Sequence, residues 1–230
     1  GSSARKFSRR SCQGYAELAT DWLAIGYHIS GQPFHQPETP IKAMPQANNK
    51  LSASFRERAL APLDAEALLQ RQLQADLNGY SSEHWLLQDQ SVGGFRLQLH
   101  SVEPVLNHHQ LVAVRPPDSL NYLLGQVSWM HFHDDGTLET GVQVLNGLPQ
   151  VIAARPLEGP PMFQQAFWLP EIPALKQPAT VVLPAGWYPH HRIIQVCVND
   201  KLHTLRLNKR LVAGHDFDQL CYEEISARHA

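Results

Sequence analysis

Apolar and polar positions alternate along most of this chain with the two-residue period of half-buried strands. Between residues 22 and 29, Leu23, Ile25, Tyr27 and Ile29 alternate with Trp22, Ala24, Gly26 and His28, which predicts a strand. Residues 31–50 lose the pattern. Pro33, Pro37, Pro40 and Pro45 fall among Gln and Asn, so the stretch reads as loop. A helix follows. Asp64 is placed to cap it, Ala65, Leu69, Leu73 and Leu77 recur every four residues, and Asn78-Gly79 supplies the stop. A weaker helical turn is predicted over 55–60, ended by Pro62. From Trp85 the strand period returns. Phe95, Leu97 and Leu99 alternate with Arg96, Gln98 and His100, and further strands are predicted at 110–115, 123–133 and 138–145. Asp134-Asp135-Gly136 is a hairpin turn between the last two. A proline-dense stretch, 156–178, reads as a linker. Beyond it Ile193 to Val198, Asn199-Asp200 and Lys201 to Leu207 form a hairpin with a two-residue loop. The predicted fold is mainly β: an antiparallel sheet over 11–150, closed into a barrel that leaves no exposed edge, with a helical insertion at about 31–82. Residues 151–230 are a β-rich extension or second module, and residues 1–10 a basic arm.

Composition narrows the function classes. The chain has 230 residues, 43% hydrophobic and 17% charged, enough for a sizeable core. A formal charge of -2 argues against nucleic acid as a partner, although 13 histidines make that balance sensitive to pH. Cys12, Cys197 and Cys221 are odd in number and lack C-x-x-C spacing, so neither a disulfide framework nor a zinc site is expected and a reducing, cytoplasmic setting fits. No apolar run approaches 18 residues, so no membrane span is expected. Gly1-Ser2-Ser3 reads as a cloning remnant.

Two short motifs carry chemistry. The arm holds Arg5-Lys6-Phe7-Ser8-Arg9-Arg10, and the first predicted hairpin holds Asp89-Gln90-Ser91-Val92-Gly93-Gly94. Alone, the first is an ordinary basic tail and the second a strand-turn-strand corner whose Asp and Ser satisfy turn amides. In order, they are followed by Leu124-Gly125-Gln-Val127-Ser-Trp129 and Gly141-Val142-Gln-Val144-Leu145. The series resembles a PilZ domain: a basic arm, a D-x-S-x-x-G turn, a G-x-V-x-W strand and a closing G-V-x-V strand. It covers residues 4 to about 30 and 83 to about 150. It departs from the usual pattern in the 80 residues that separate Arg9 from Asp89.

The resemblance implies a small antiparallel β-barrel that binds cyclic di-GMP as a receptor or effector module in bacterial signalling, without catalysis and without a cofactor. The ligand residues it implies are Arg5, Lys6, Arg9, Arg10, Asp89, Ser91, Gly93 and Gly94. The residue types suit that ligand. A guanidinium fork matches phosphate and also guanine O6 and N7. A carboxylate accepts from guanine N–H groups, a hydroxyl does either, and glycine lets backbone approach closely. The small Ala4 before the arginine pair implies two ligand molecules per chain. The alternative is a PilZ-like adaptor that binds a protein partner and no nucleotide.

Other features have plainer readings. His131-Phe-His133-Asp134-Asp135 offers two histidines on one strand face but no third metal ligand, so these read as surface histidines. The Leu68, Leu69, Leu73 and Leu77 stripe reads as the helix's packing face, with helix pairing between copies as the alternative. Phe167-Trp168 and Gly186-Trp187-Tyr188 read as core. No G-x-S-x-G, H-E-x-x-H or Walker sequence is present.

Overall fold

The computed structural model describes residues 10–11, 14–38, 40–42, 50–57, 63–100 and 106–226, with the backbone alone at 10, 11, 41, 42 and 57. Two closed antiparallel barrels of six strands make up the molecule. The first uses β2 (Tyr15–Ala19), β4 (Glu83–Ser91), β5 (Gly94–His100), β6 (Leu111–Arg115), β7 (Leu123–Phe132) and β8 (Thr137–Val144). They run in the order β4-β2-β6-β7-β8-β5, and β5 closes back onto β4. A two-residue strand, β1 (Arg10–Ser11), lies along β4 beyond the end of β2. The second barrel uses β9 (Gln150–Pro156), β10 (Gln164–Leu169), β11 (Thr180–Pro184), β12 (Ile193–Val198), β13 (Lys201–Ala213) and β14 (Phe217–Ile225). Its order is β12-β9-β10-β11-β14-β13, and β13 closes onto β12. The short β3 (Ile41–Lys42) adds to β13 in parallel. The mainly β, barrel-forming expectation is met. Among the described residues no helix is long and apolar enough to cross a membrane.

The expected strand at 22–29 is a helix, α1 (Trp22–Ser30). Asp21 Oδ2 accepts from Leu23 N and Ala24 N at 3.1 Å each, and Gly31, at φ 77°, ends the helix with its N–H on Tyr27 O. Ala24 through His28 are all buried, because α1 is wedged against both barrels. A segment buried continuously from Ala24 to His28 carries neither period, so alternation misled here. The strand in this region is β2, just before it.

The predicted linker at 156–178 contains β10, a fully integrated strand of the second barrel. Its prolines sit where the ladder does not need their missing N–H: Pro156 ends β9 and Pro170 follows β10. The Asn199-Asp200 turn is as expected. Both residues have positive φ, 51° and 60°, as a two-residue hairpin loop of the primed kind requires.

Two further helices lie between β2 and β4. In α2 (Leu51–Glu57), Leu51 is fully buried in the second barrel's core and the Phe55 ring stacks on Trp168 at 4.1 Å. Ser54 Oγ meets His203 Nε2 at 3.2 Å, and His203 Nδ1 meets Glu224 Oε1 at 2.6 Å. The insertion in the first barrel thus plugs the second. In α3 (Ala65–Leu77) the Asp64 cap is confirmed, with Oδ1 accepting from Ala67 N at 2.7 Å. Its packing face keeps only Leu68 of the predicted leucine stripe. Leu68 and Ala75 are buried, whereas Leu69, Leu73 and Leu77 are 54%, 51% and 77% exposed. The helix is held instead by polar contacts to α1: Tyr27 Oη donates to Arg71 O, and Arg71 Nη1 donates to His28 O. A last short helix, α4 (Trp187–His190), follows β11.

The barrels share an apolar core. Leu111 and Ala113 of β6 turn outward from the first barrel to meet Phe167 and Leu169 of β10 and Phe217 of β14, with Ile25 between them. β6 and β10 are therefore buried on both faces. Two hydrogen bonds cross the seam at 2.8 Å: Leu111 N donates to Asp216 Oδ1 and His215 N to His109 O. Burial raises the Asp216 carboxyl above its ordinary range, partly offset by its bond from Leu111 N–H. Asp216→Ala strands that N–H in an apolar seam. It should cost about 1–3 kcal/mol in denaturant unfolding, with the second barrel's own core residues untouched. A variant as stable as wild type would show that the seam rests on apolar contact alone.

Candidate functional site

The β4–β5 hairpin turns through Val92-Gly93, pairing Ser91 with Gly94, Gln90 with Phe95 and Asp89 with Arg96. Below this the register shifts between Leu87 and Asp89, so Gln88 is an extra residue, a β-bulge. The bulge decides where Asp89 points. Trp85 and Leu87 alternate into the first barrel's core, and simple alternation would send Asp89 after them. One inserted residue places Asp89 opposite Arg96, on the outer face, while Phe95 and Leu97 face inward.

A second bulge, between Val127 and Trp129, does the same on β7. Val127 stays in the core, and Trp129 pairs with Gly141, outside. Arg96 is itself the cross-strand partner of Gly141. The two bulges therefore align one outward row across neighbouring strands: Asp89, Arg96, Gly141, Trp129. Asp89, Arg96, Gly141 and Trp129 line a cavity of about 250 Å³, together with Gln90, Ser91, Gly93, Gly94, Ser128 and Gln143. Four predicted ligand residues, Asp89, Ser91, Gly93 and Gly94, lie in it.

Close approach explains Gly94 and Gly141. Gly94 does not have positive φ. Its constraint is space, since a Cβ there would lie 2.3 Å from Val142 O on β8. Gly93 O accepts from Val144 N at 3.0 Å, tying the turn to the same strand. A Cβ on Gly141 would lie 2.0 Å from Trp129 Nε1, so the indole rests over the glycine and is 39% exposed. The Ser128 hydroxyl donates to Gly141 O at 2.9 Å and fixes the bulge. Arg96 Nε meets Glu139 Oε1 at 3.3 Å, and the other Glu139 oxygen meets His133 Nε2 at 3.0 Å.

Arg5, Lys6 and Arg9, like Ala4, lie outside the described residues. Of Arg10 the backbone is placed: β1 pairs Arg10 with Gln90 and Ser11 with Asp89. The 80-residue separation between arm and turn therefore vanishes in space. The insertion leaves and returns at neighbouring strands, since β2 and β4 pair from Tyr15–Leu86 to Leu18–Glu83. Sequence reasoning missed Arg96, Trp129, Gly141 and Gln143. For Arg96 a signal was available: a two-residue turn at Val92-Gly93 pairs it with Asp89. For Trp129 the G-x-V-x-W motif marked the residue but not the face it takes, because a bulge leaves no mark in hydrophobic periodicity.

Residues 152–225 match the family model of the FimW C-terminal beta-barrel domain, which spans most of the second barrel. No curated protein matches the chain. Among solved structures, the chain is matched to "MrkH, A novel c-di-GMP dependence transcription regulatory factor" at 8% identity and a TM-score of 0.23, over 72% of this chain and 85% of that one.

Gly94→Ala and Gly141→Ala test the packing of this wall. Each should lower the melting temperature by several degrees, from an overpacking cost of about 1–3 kcal/mol. Gly94→Ala meets backbone and should be the worse, because the Trp129 ring beside Gly141 can turn away. Two variants that melt like wild type would mean that β5 and β8 are not packed this closely.

Proposed function

We propose that the protein is a cyclic-di-GMP receptor of PilZ type, acting by binding and without catalysis. The observation that carries this reading is the register of β1, which lays the end of the basic arm along Gln90 and Asp89 beside the D-x-S-x-x-G turn. Arg9 is one peptide link from Arg10, so the run Arg5 to Arg10 ends where the turn's polar groups are displayed. The described wall brings a carboxylate, a hydroxyl and an exposed indole into one cavity. At about 250 Å³ that cavity is smaller than the roughly 300–1,000 Å³ usual for a drug-sized ligand. A cyclic dinucleotide needs a second wall, and a cationic arm facing two phosphates is chemically suited to be it.

Titration calorimetry with cyclic di-GMP, cyclic di-AMP and GTP tests the reading. Saturable binding of cyclic di-GMP is expected. Arg5→Ala or Arg9→Ala should weaken it roughly ten- to a hundredfold, since a charge-assisted bond contributes about 1.5–3 kcal/mol. Asp89→Ala should weaken it too, and melting should be unchanged in the arm variants. No heat with any of the three nucleotides would turn the reading to the protein adaptor.

Stoichiometry is a separate expectation. With Ala4 before the arginine pair and Lys6 and Arg10 adding charge, two ligand molecules per chain are expected at saturation, and Ala4→Leu should reduce this towards one. Saturation of the unmodified chain at one ligand would overturn this and leave the receptor reading standing.

A further inference from the structure

We infer that Arg96 is the residue of the barrel wall that selects guanine over adenine, an inference that rests on the receptor reading above. Arg96 and Asp89 are direct cross-strand partners on the outer face, and both line the cavity. Side chains so paired have Cβ atoms about 4.5–5.5 Å apart, so a ligand group that meets one meets the field of the other. A phosphate brought to Arg96 would lie beside the Asp89 carboxylate, which offers it no donor. Guanine suits the pair. Its O6 and N7 accept from a guanidinium, and its N1–H and N2 amino group donate to a carboxylate. Adenine presents an amino donor where guanine has O6, which opposes a guanidinium donor.

The guanidinium is held for this task from behind. Glu139 contacts Nε at 3.3 Å, on the flank of the fork, and the Arg96 side chain is 40% exposed. Glu139 lies two residues along β8 from Gly141, on the same face. Its second oxygen is held by His133. Glu139 is thus a positioning residue, and contact with Nε leaves the terminal N–H groups of Arg96 for a ligand. The Trp129 ring over Gly141, next in the row, offers a face on which a flat base can stack.

The test is calorimetry on the full chain with cyclic di-GMP and cyclic di-AMP, for wild type, Arg96→Ala and Arg96→Lys. Arg96→Ala should lose roughly tenfold or more in cyclic-di-GMP affinity and little in cyclic-di-AMP affinity, so that the ratio of the two falls. Arg96→Lys keeps a charge without the fork and should fall between. Melting temperatures of the variants should stay near wild type, because a partly exposed ion pair contributes little to stability. A wild-type preference for guanine that survives intact in Arg96→Ala overturns the inference and leaves the receptor reading in place. If Arg96→Ala fails to fold, the same ratio read on Arg96→Lys decides the matter. Wild type that binds neither nucleotide overturns both.

Discussion

Strand β4 must satisfy partners on both of its edges, and the first barrel and its cavity depend on how it does so. One edge pairs with β5, which closes the ring. The other pairs with β2 and then, past a break at Gly14, with β1. Leu87 N donates to Gly14 O at 2.9 Å, which carries the ladder across that break. A closed ring leaves no unpaired strand edge, so there is no register freedom in which the hairpin could slide. That fixity makes a bulge informative. Once the ring is closed, the inserted Gln88 has nowhere to be absorbed, and Asp89 must face outward.

The fold class was legible because most strands here are half-buried and alternate. The exceptions share a physical cause. α1, β6 and β10 lie at or near the seam between barrels and are buried on more than one side, so their sequences are apolar at consecutive positions. For such segments periodicity reports burial and says nothing of helix or strand. That is why α1 was expected as a strand, whereas β10 was hidden in a linker by the prolines on either side of it. The leucine stripe of α3 fails for the opposite reason. Its spacing is helical and the helix forms, but Arg71 and Ala75, not Leu69 and Leu73, meet the rest of the chain or are buried.

The site was half legible. Asp89, Ser91, Gly93 and Gly94 could be named because their spacing is a local property of one turn. Arg96 and Gly141 belong to the site through the register of three strands, and Trp129 through a bulge 40 residues away from Asp89 in sequence. Gly94 was expected to serve the ligand by letting backbone approach it. The structure supplies a packing reason, the carbonyl of Val142, that would keep a glycine there with or without a ligand.

The ring order also constrains how the two barrels can cooperate. Around β4-β2-β6-β7-β8-β5, the strand diametrically across from β6 is β5. β6 carries the seam with the second barrel, and β5 carries Arg96 at the centre of the outward row. The second barrel therefore sits behind the first, seen from the cavity, and cannot close over it. The second barrel is joined to the cavity wall through packed material: the first barrel's core, the α1 wedge, and the insertion whose Leu51 and Phe55 end in the second barrel. Because β2 continues into β1 on one side and into α1 on the other, the chain that enters beside the cavity leaves directly into the seam. The shortest covalent route from the edge of the cavity wall to the seam is therefore residues 10–30 and not the longer insertion.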